Sequence, residues 1–519
     1  MKKGLGFLLS IILLGSLISC NNQETTTPSI FDRDKGNTAY QLLIYAFDSS
    51  NGDELGDLEG IRQRLDYLKD LGITLIWLSP IHEASSYHGY DVIDYYSINK
   101  DYGTLDDFKN LINDAHERGI SIILDMVLNH TSSAHPWFID ACNNKNNKRD
   151  WYVWKKDGVT YGSGGGYTGR FYESSTCNGA FFSSFTTSMP DLNLANKEVV
   201  NEQKKILKYW LDLGVDGFRF DAIKHFFDIA EYDKERNTLN DINKYFKEIN
   251  GFIHSYKKNS YIIGEYLEMD YRGYIKFAPY FDSEFDFYTY DQIIKIVNGA
   301  SPRGYINNYK TAQQALLDKN RDWYNSVIIS NHDLDRVMSR VESENKAKLA
   351  LNMQMLLPGM PYVYYGDEIG LKGVRYKNND IERRLPMKWG DTWYWISADK
   401  YGAGFYREEI NNDVLSVSEQ LEDEESLLNY YKKVINFRNA KAAIYKGQVS
   451  EVDLGNINLI AYKSKHGNDE LLVIHNKSYS SIEIDKKSEY KDIIFNQELI
   501  TTNNNKIVIP SYTSVVIQL

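Results

Sequence analysis

The stretch Ser121-Ile122-Ile123-Leu124-Asp125-Met126-Val127-Leu128-Asn129-His130 is a short apolar, β-like run that closes on polar residues. Seven further β-like runs cover 40–47, 74–79, 217–221, 261–266, 280–287, 325–330 and 361–365. Segments of helical period lie between them: Ile61, Leu65, Leu68 and Leu71 share one helical face, as do Val200, Leu207 and Leu211. Alternating strands and helices predict a parallel sheet, and eight such units predict an α/β fold, a closed (β/α)8 TIM barrel over residues 37–443.

Some ninety residues part the third run from the fourth, far more than a barrel loop needs. This stretch is rich in Gly, Asn and aromatics (Gly162 to Tyr167, Phe181 to Phe185) and is expected to be an inserted subdomain over 131–190. Beyond residue 443 the pattern becomes short alternating strands such as 457–463 and 470–475, with a polar turn at His466-Gly467-Asn468. An antiparallel β-sandwich is expected over 444–519.

Polar residues gather at the C-terminal ends of the predicted strands, the face on which barrel sites are built. Asp125, Asn129 and His130 close the third; Arg219 and Asp221, followed by Lys224 and His225, close the fourth; Glu265 closes the fifth; His332 and Asp333 close the seventh. Retaining hydrolysis of a glycosidic bond needs a carboxylate nucleophile and a carboxylic acid roughly 5 Å apart, which adjacent barrel strands can supply. Arg219 and Asp221 point the same way because side chains alternate along a strand, so the guanidinium keeps Asp221 ionised as the nucleophile. Glu265 follows the apolar Tyr261-Ile262-Ile263-Gly264, whose surroundings raise its pKa toward that of a useful acid. Asp333 is left to stabilise a cationic transition state.

These residues resemble the α-amylase family, glycoside hydrolase family 13. Asp125 to His130, Gly217 to His225, Gly264-Glu265 and Ser330 to Asp333 look like its four signature regions. Gly72 to Pro80, Tyr87 to Asp91, Met189 to Asn193 and Pro358 to Glu368 agree in order and spacing, over about residues 40–519. The resemblance implies that Tyr90 stacks on the sugar at the non-reducing side of the cut, with Asp91, His130, Arg219 and His332 among the substrate contacts. It also implies that Lys224 and His225 contact the leaving-group side, as in members acting on α-1,4 bonds. The expected reaction is endo-hydrolysis of α-1,4-glucosidic bonds in starch, glycogen or maltooligosaccharides. Gly89-Tyr90-Asp91 and Arg384-Leu385-Pro386-Met387 also occur among exo-acting α-glucosidases and 4-α-glucanotransferases, which remain the alternative. A non-catalytic glycan-binding lipoprotein would not need Asp221, Glu265 and Asp333 together.

The turn Asn51-Gly52-Asp53-Glu54-Leu55-Gly56-Asp57 carries the oxygen-rich set a Ca²⁺ ion needs and resembles a family calcium loop, with Asn51, Asp53, Leu55 and Asp57 as ligand positions. It departs from the family at Ser49, where an Asp is common. A second family site would use Asn129, Asp191 and the carbonyl of His225, and its remaining ligand is not evident.

Fifty-nine basic against 71 acidic residues give a net charge of -12, which argues against nucleic acid and suits a neutral polymer. Lys2, Lys3 and the apolar stretch to Leu17 form a secretory signal over 1–19 rather than a membrane span. Leu17-Ile18-Ser19-Cys20 looks like a bacterial lipobox, making Cys20 the lipidated first residue of the mature chain and 20–36 a tether. The expected protein is therefore an exported monomer, anchored by lipid alone on the cell surface or facing the periplasm. Cys142 and Cys177 either pair or stay free thiols.

Overall fold

The computed structural model describes residues 28–157, 170–227, 238–390, 407, 409–503 and 505–519. The signal, Cys20, the first part of the tether and Gly162 to Tyr167 lie outside the described residues. Eight parallel strands form the centre: β1 Ala39–Leu42, β2 Leu75–Leu78, β3 Ser121–Met126, β4 Gly217–Phe220, β5 Tyr261–Gly264, β6 Ser283–Asp286, β7 Ser326–Val327 and β8 Tyr362–Tyr364. Each pairs with its sequence neighbour through β7, and β1 pairs with β8.

No ladder joins β7 to β8; a side chain spans the seam instead. The Gln354 amide N–H₂ donates to Val327 O (2.9 Å) and to Tyr362 O (2.7 Å), and Met360 N–H donates to Asn325 O (2.7 Å). Inside the barrel the Trp77 ring stacks on Phe285 (5.1 Å), and Tyr362 packs edge-on against both. Gly217 opens β4 because β4 and β5 approach closely there: its φ is +157°, and a Cβ would stand 1.8 Å from Tyr261 O.

The first strand is shorter than the sequence reading of 40–47, since only 39–42 pairs and Ile44–Phe47 is a helical turn. All of Leu42 to Phe47 is buried, and an uninterrupted apolar run has no period by which to tell strand from helix. The stripe of Ile61, Leu65, Leu68 and Leu71 is buried as expected, on two short helices that meet at Arg64.

The stretch between β3 and β4 carries the helix Pro136–Cys142 and a hairpin, Arg170–Ser174 with Gly179–Ser183, and a disulfide joins Cys142 to Cys177. After the helix Leu427–Asn439 come a five-stranded and a three-stranded antiparallel sheet. Leu459, Leu472, Ile474, Ile507, Ile509 and Ile517 form the core of this C-terminal domain. Ile460, Val473 and Val516 join the barrel core, and Tyr462 OH donates to Leu356 O (2.8 Å).

Replacing Gln354 by Leu should lower the unfolding free energy by about 2 to 3 kcal/mol, because two buried carbonyls lose their donor. The midpoint of denaturant unfolding checks this; a change under about 0.5 kcal/mol would show that the seam does not need the amide.

Candidate active site

At the C-terminal end of β4 the Arg219 guanidinium is fully buried. Its Nη1 lies 2.7 Å from Asp125 Oδ1 and 2.8 Å from Asp221 Oδ1, and its Nη2 lies 3.6 Å from Glu265 Oε2. The Trp77 and Tyr90 rings stand 5.0 and 5.7 Å from the same cation. β3, β4 and β5 are consecutive, and pleating turns Asp125, Arg219, Asp221 and Glu265 to one side. One charge thus faces three carboxylates in a dry site.

Those carboxylates are not equivalent. Asp125 accepts from Arg219, from Tyr90 OH (3.0 Å) and from Trp77 Nε1–H (3.2 Å). Glu265 is farthest from the cation, and among the described residues its hydrogen-bond donor is the Ala222 N–H, 2.9 Å from Oε2. Burial raises the pKa of both to about 7 against the pull of Arg219, with Asp221 adding to each rise and Asp333 to that of Glu265. The geometry separates the two: Glu265 is set back from the cation and takes fewer donors, which favours the proton on Glu265 over Asp125. Ala222 delivers its N–H from a left-handed conformation (φ 48°, ψ 45°), which costs a non-glycine residue roughly 1–2 kcal/mol and turns the chain off β4 immediately after Asp221.

On the opposite wall Asp333 meets His332 Nε2 (3.2 Å) and Arg384 Nη2 (2.8 Å), with its side chain 40% exposed at the mouth. Partial burial pushes its pKa up, but His332 and Arg384 outweigh that and hold it at about 2. Burial also pushes His332 down to about 3, so at neutral pH the standing countercharge is Arg384. The Gln41 amide donates to His332 Nδ1 (2.7 Å), which places the ring proton on Nε2, between Tyr90 OH (2.8 Å) and Asp333. Tyr90 lies parallel to His332, centroids 5.6 Å apart.

The structure brings Asp221, Glu265, Asp333, Tyr90, Arg219 and His332 into one cleft. His130 is buried beside it, with Nε2–H donating to Tyr90 O (2.9 Å). Lys224 and His225 sit on the 3₁₀ turn Ile223–His225, Lys224 reaching toward Glu268 (3.9 Å) and His225 facing Phe185 (4.9 Å). The Asp91 carboxylate accepts from Ser86 N–H (3.1 Å) and the Ser86 hydroxyl, closing the turn beneath Tyr90. Arg384 and Tyr87, joined by a 3.1 Å hydrogen bond, belong to the Asp333 wall, and sequence reasoning gave them no role there. The segment Tyr87 to Asp91 and the run Arg384-Leu385-Pro386-Met387 were the available signals.

In the 51–57 turn, Asn51 Oδ1 and Asp53 Oδ1 both accept from Ser49 OH (3.2 and 3.3 Å), so two hard oxygen donors converge. Leu55 N–H also donates to Asp53. Asp57 is engaged elsewhere, accepting from Gly60 N–H (2.6 Å) as a helix cap and from Ser50 N–H and OH. The donor chemistry suits Ca²⁺ at Asn51 and Asp53, while Asp57 would have to share its oxygens with the cap. At the second place, Asp191 accepts from Ser184 N–H (2.9 Å) and OH, and the Asn129 carbonyl accepts from Leu192 N–H. Among the described residues no group of three or more His, Cys, Asp or Glu side chains is arranged to hold a metal.

A parallel barrel with paired carboxylates at its C-terminal mouth defines a glycoside hydrolase of the barrel class. Family comparison gives the particular group: the "Alpha amylase, catalytic domain" model matches residues 41–447, and the "Alpha-amylase SusG C-terminal domain" model matches 459–516. The chain belongs to the α-amylase family. Alpha-amylase 3 of Dictyoglomus thermophilum is 33% identical, aligned over 100% of this chain and 98% of that protein. The crystal structure of α-amylase from H. orenii superposes with a TM-score of 0.81 at 34% identity, covering 94% of this chain and all of that one. A 4-α-glucanotransferase of Thermotoga neapolitana is 31% identical over 85% of this chain and 95% of its own length. An oligo-1,6-glucosidase of Parageobacillus thermoglucosidasius is 29% identical over 85% and 89%.

Carboxyl titration near pH 7 should appear in infrared difference spectra, and Glu265→Gln should remove the Glu265 band from it while Asp125→Asn leaves that band in place. Because folding raises this pKa, its contribution to stability is complete below the ordinary carboxyl value near 4.5 and is lost as pH rises through about 7. A Glu265 already ionised at pH 5 would contradict the placement of the proton.

Proposed function

We propose that this chain is a retaining, endo-acting hydrolase of internal α-1,4-glucosidic bonds in starch, glycogen or maltooligosaccharides. The observation that carries the reading is the sharing of Arg219: Asp221 stands against the guanidinium, and Glu265, farther away and buried, has its pKa raised to about 7. Asp221 Oδ attacks the anomeric carbon while Glu265 gives its proton to the leaving oxygen, so the C–O bond breaks as the glycosyl ester forms. Glu265, now a carboxylate, takes a proton from water, whose oxygen attacks the same carbon and releases Asp221. Asp333, held ionised beside Arg384, stabilises the oxocarbenium-like charge in both steps. Tyr90 supplies a ring face on one side of the cut, and Lys224 and His225 polar contacts on the other.

Exo-acting α-glucosidase and 4-α-glucanotransferase chemistry share the first half-reaction, and relatives bear the names of such activities. The Lys224-His225 pair favours the endo reading. The proposal extends to Ca²⁺ in the 51–57 turn, to a monomeric chain, and to export with a diacylglyceryl anchor on Cys20.

Asp221→Asn and Glu265→Gln should each lower turnover by several orders of magnitude with the fold intact by circular dichroism. NMR of fresh products should show the α-anomer first, and an initial β-anomer would mean inversion. An oligosaccharide blocked at its non-reducing end should be cleaved, and starch viscosity should fall well ahead of reducing-sugar release. Glucose as the sole first product, from unblocked short chains alone, would replace the endo reading by the α-glucosidase one. EDTA should lower the thermal midpoint, with bound calcium seen by elemental analysis; no shift and no calcium would remove the metal.

A further inference from the structure

The described chain begins at the end of the barrel opposite the cleft. Ser29 OH and Ile30 N–H donate to Asp216 Oδ1 (2.8 and 3.1 Å), and Ser29 N–H donates to Lys258 O (3.1 Å). Asp216 is fully buried and also accepts from His116 and from Ile122 N–H. Phe31 follows as a plug, its ring 4.8 Å from Tyr261 at the start of β5. Asp216 directly precedes β4, and Asp221 directly follows it. The clasp and the nucleophile candidate are therefore opposite ends of one strand, about 16 Å apart by strand rise.

We infer that the lipid-anchored protein stands with this barrel floor against the phospholipid surface and the cleft facing outward. The inference rests on the reading of Cys20 as the acylated residue. From Cys20 to Ser29 the chain spans nine residues. Nine residues span at most about 32 Å at full extension. Ser29 is locked to the barrel rather than trailing from it, so the short reach fixes which end of the barrel meets the membrane. The consequence is functional: a glucan too large to pass beneath the enzyme meets an open mouth, and cut chains leave away from the membrane.

Fluorescence quenching by labelled headgroups tests this on the full-length lipidated protein in vesicles containing phosphatidylglycerol. Cys142 and Cys177 are bonded to each other and Cys20 carries the acyl group, so one added cysteine is the sole free thiol. Gln314→Cys places a dye at the floor, on the helix Tyr305–Leu317. Thr187→Cys places one at the mouth, two residues beyond Phe185 and its contact with His225. The floor dye should be quenched several-fold more than the mouth dye. Equal or reversed quenching on protein that sediments with vesicles would overturn the orientation and leave the anchor standing. Protein that does not sediment with vesicles would overturn the anchor reading, and the orientation with it.

Discussion

A single buried guanidinium decides the state of every carboxylate near it. Withdrawing three carboxylates from water around one cation would leave two uncompensated charges, a cost of several kcal/mol per ion in a dry site. The molecule meets that constraint by inequality. Asp125 and Asp221 lie within 2.8 Å of Arg219, and Asp125 takes two further donors, whereas Glu265 is set back and keeps a proton. An acid and a carboxylate therefore coexist in one cleft at one pH, which double displacement requires.

The rest of the fold serves to hold that arrangement still. Parallel register carries Asp125, Arg219 and Asp221, and Glu265 up three consecutive strands to the same height. The left-handed Ala222 spends backbone strain to aim one N–H at Glu265. Across the cleft a chain of hydrogen bonds from Gln41 through His332 reaches Tyr90, tying β1 and the loop after β7 to the loop that carries Tyr90. The seam between β7 and β8 is spanned by Gln354, and the C-terminal domain braces the nearby Leu356 through Tyr462.

What the sequence disclosed and what it hid follow from the same physics. Strand direction is visible as apolar runs closing on polar residues, and a barrel brings all such ends together, so Asp125, Arg219, Asp221, Glu265, His332 and Asp333 could be grouped before any coordinates. The spacing of two between Arg219 and Asp221 even gave their pairing. Arg384 was out of reach in its role, because it acts from the 3₁₀ turn Ile381–Arg384, fifty-one residues from Asp333, and no strand end marks it. Asp91 was grouped with the substrate contacts through the family resemblance, and the Ser86 hydrogen bonds to its carboxylate could not be read from the sequence. The pairing of Cys142 with Cys177 depends on how the hairpin folds back on Pro136–Cys142, which no local pattern encodes. Gln354 is one amide in a buried helix until the ends of β7 and β8 are seen beside it.

Double displacement in this cleft requires the division of labour between Asp221 and Glu265. A maltosyl fluoride bearing fluorine on the ring slows release of the glycosyl ester and lets it accumulate. Mass spectrometry of the digested protein should then find the sugar mass on the peptide that contains Asp221, and Glu265→Gln protein should still become labelled, because fluoride needs no proton to depart. A label on Glu265, or no covalent label under conditions of turnover, would contradict the assignment of nucleophile and acid around Arg219.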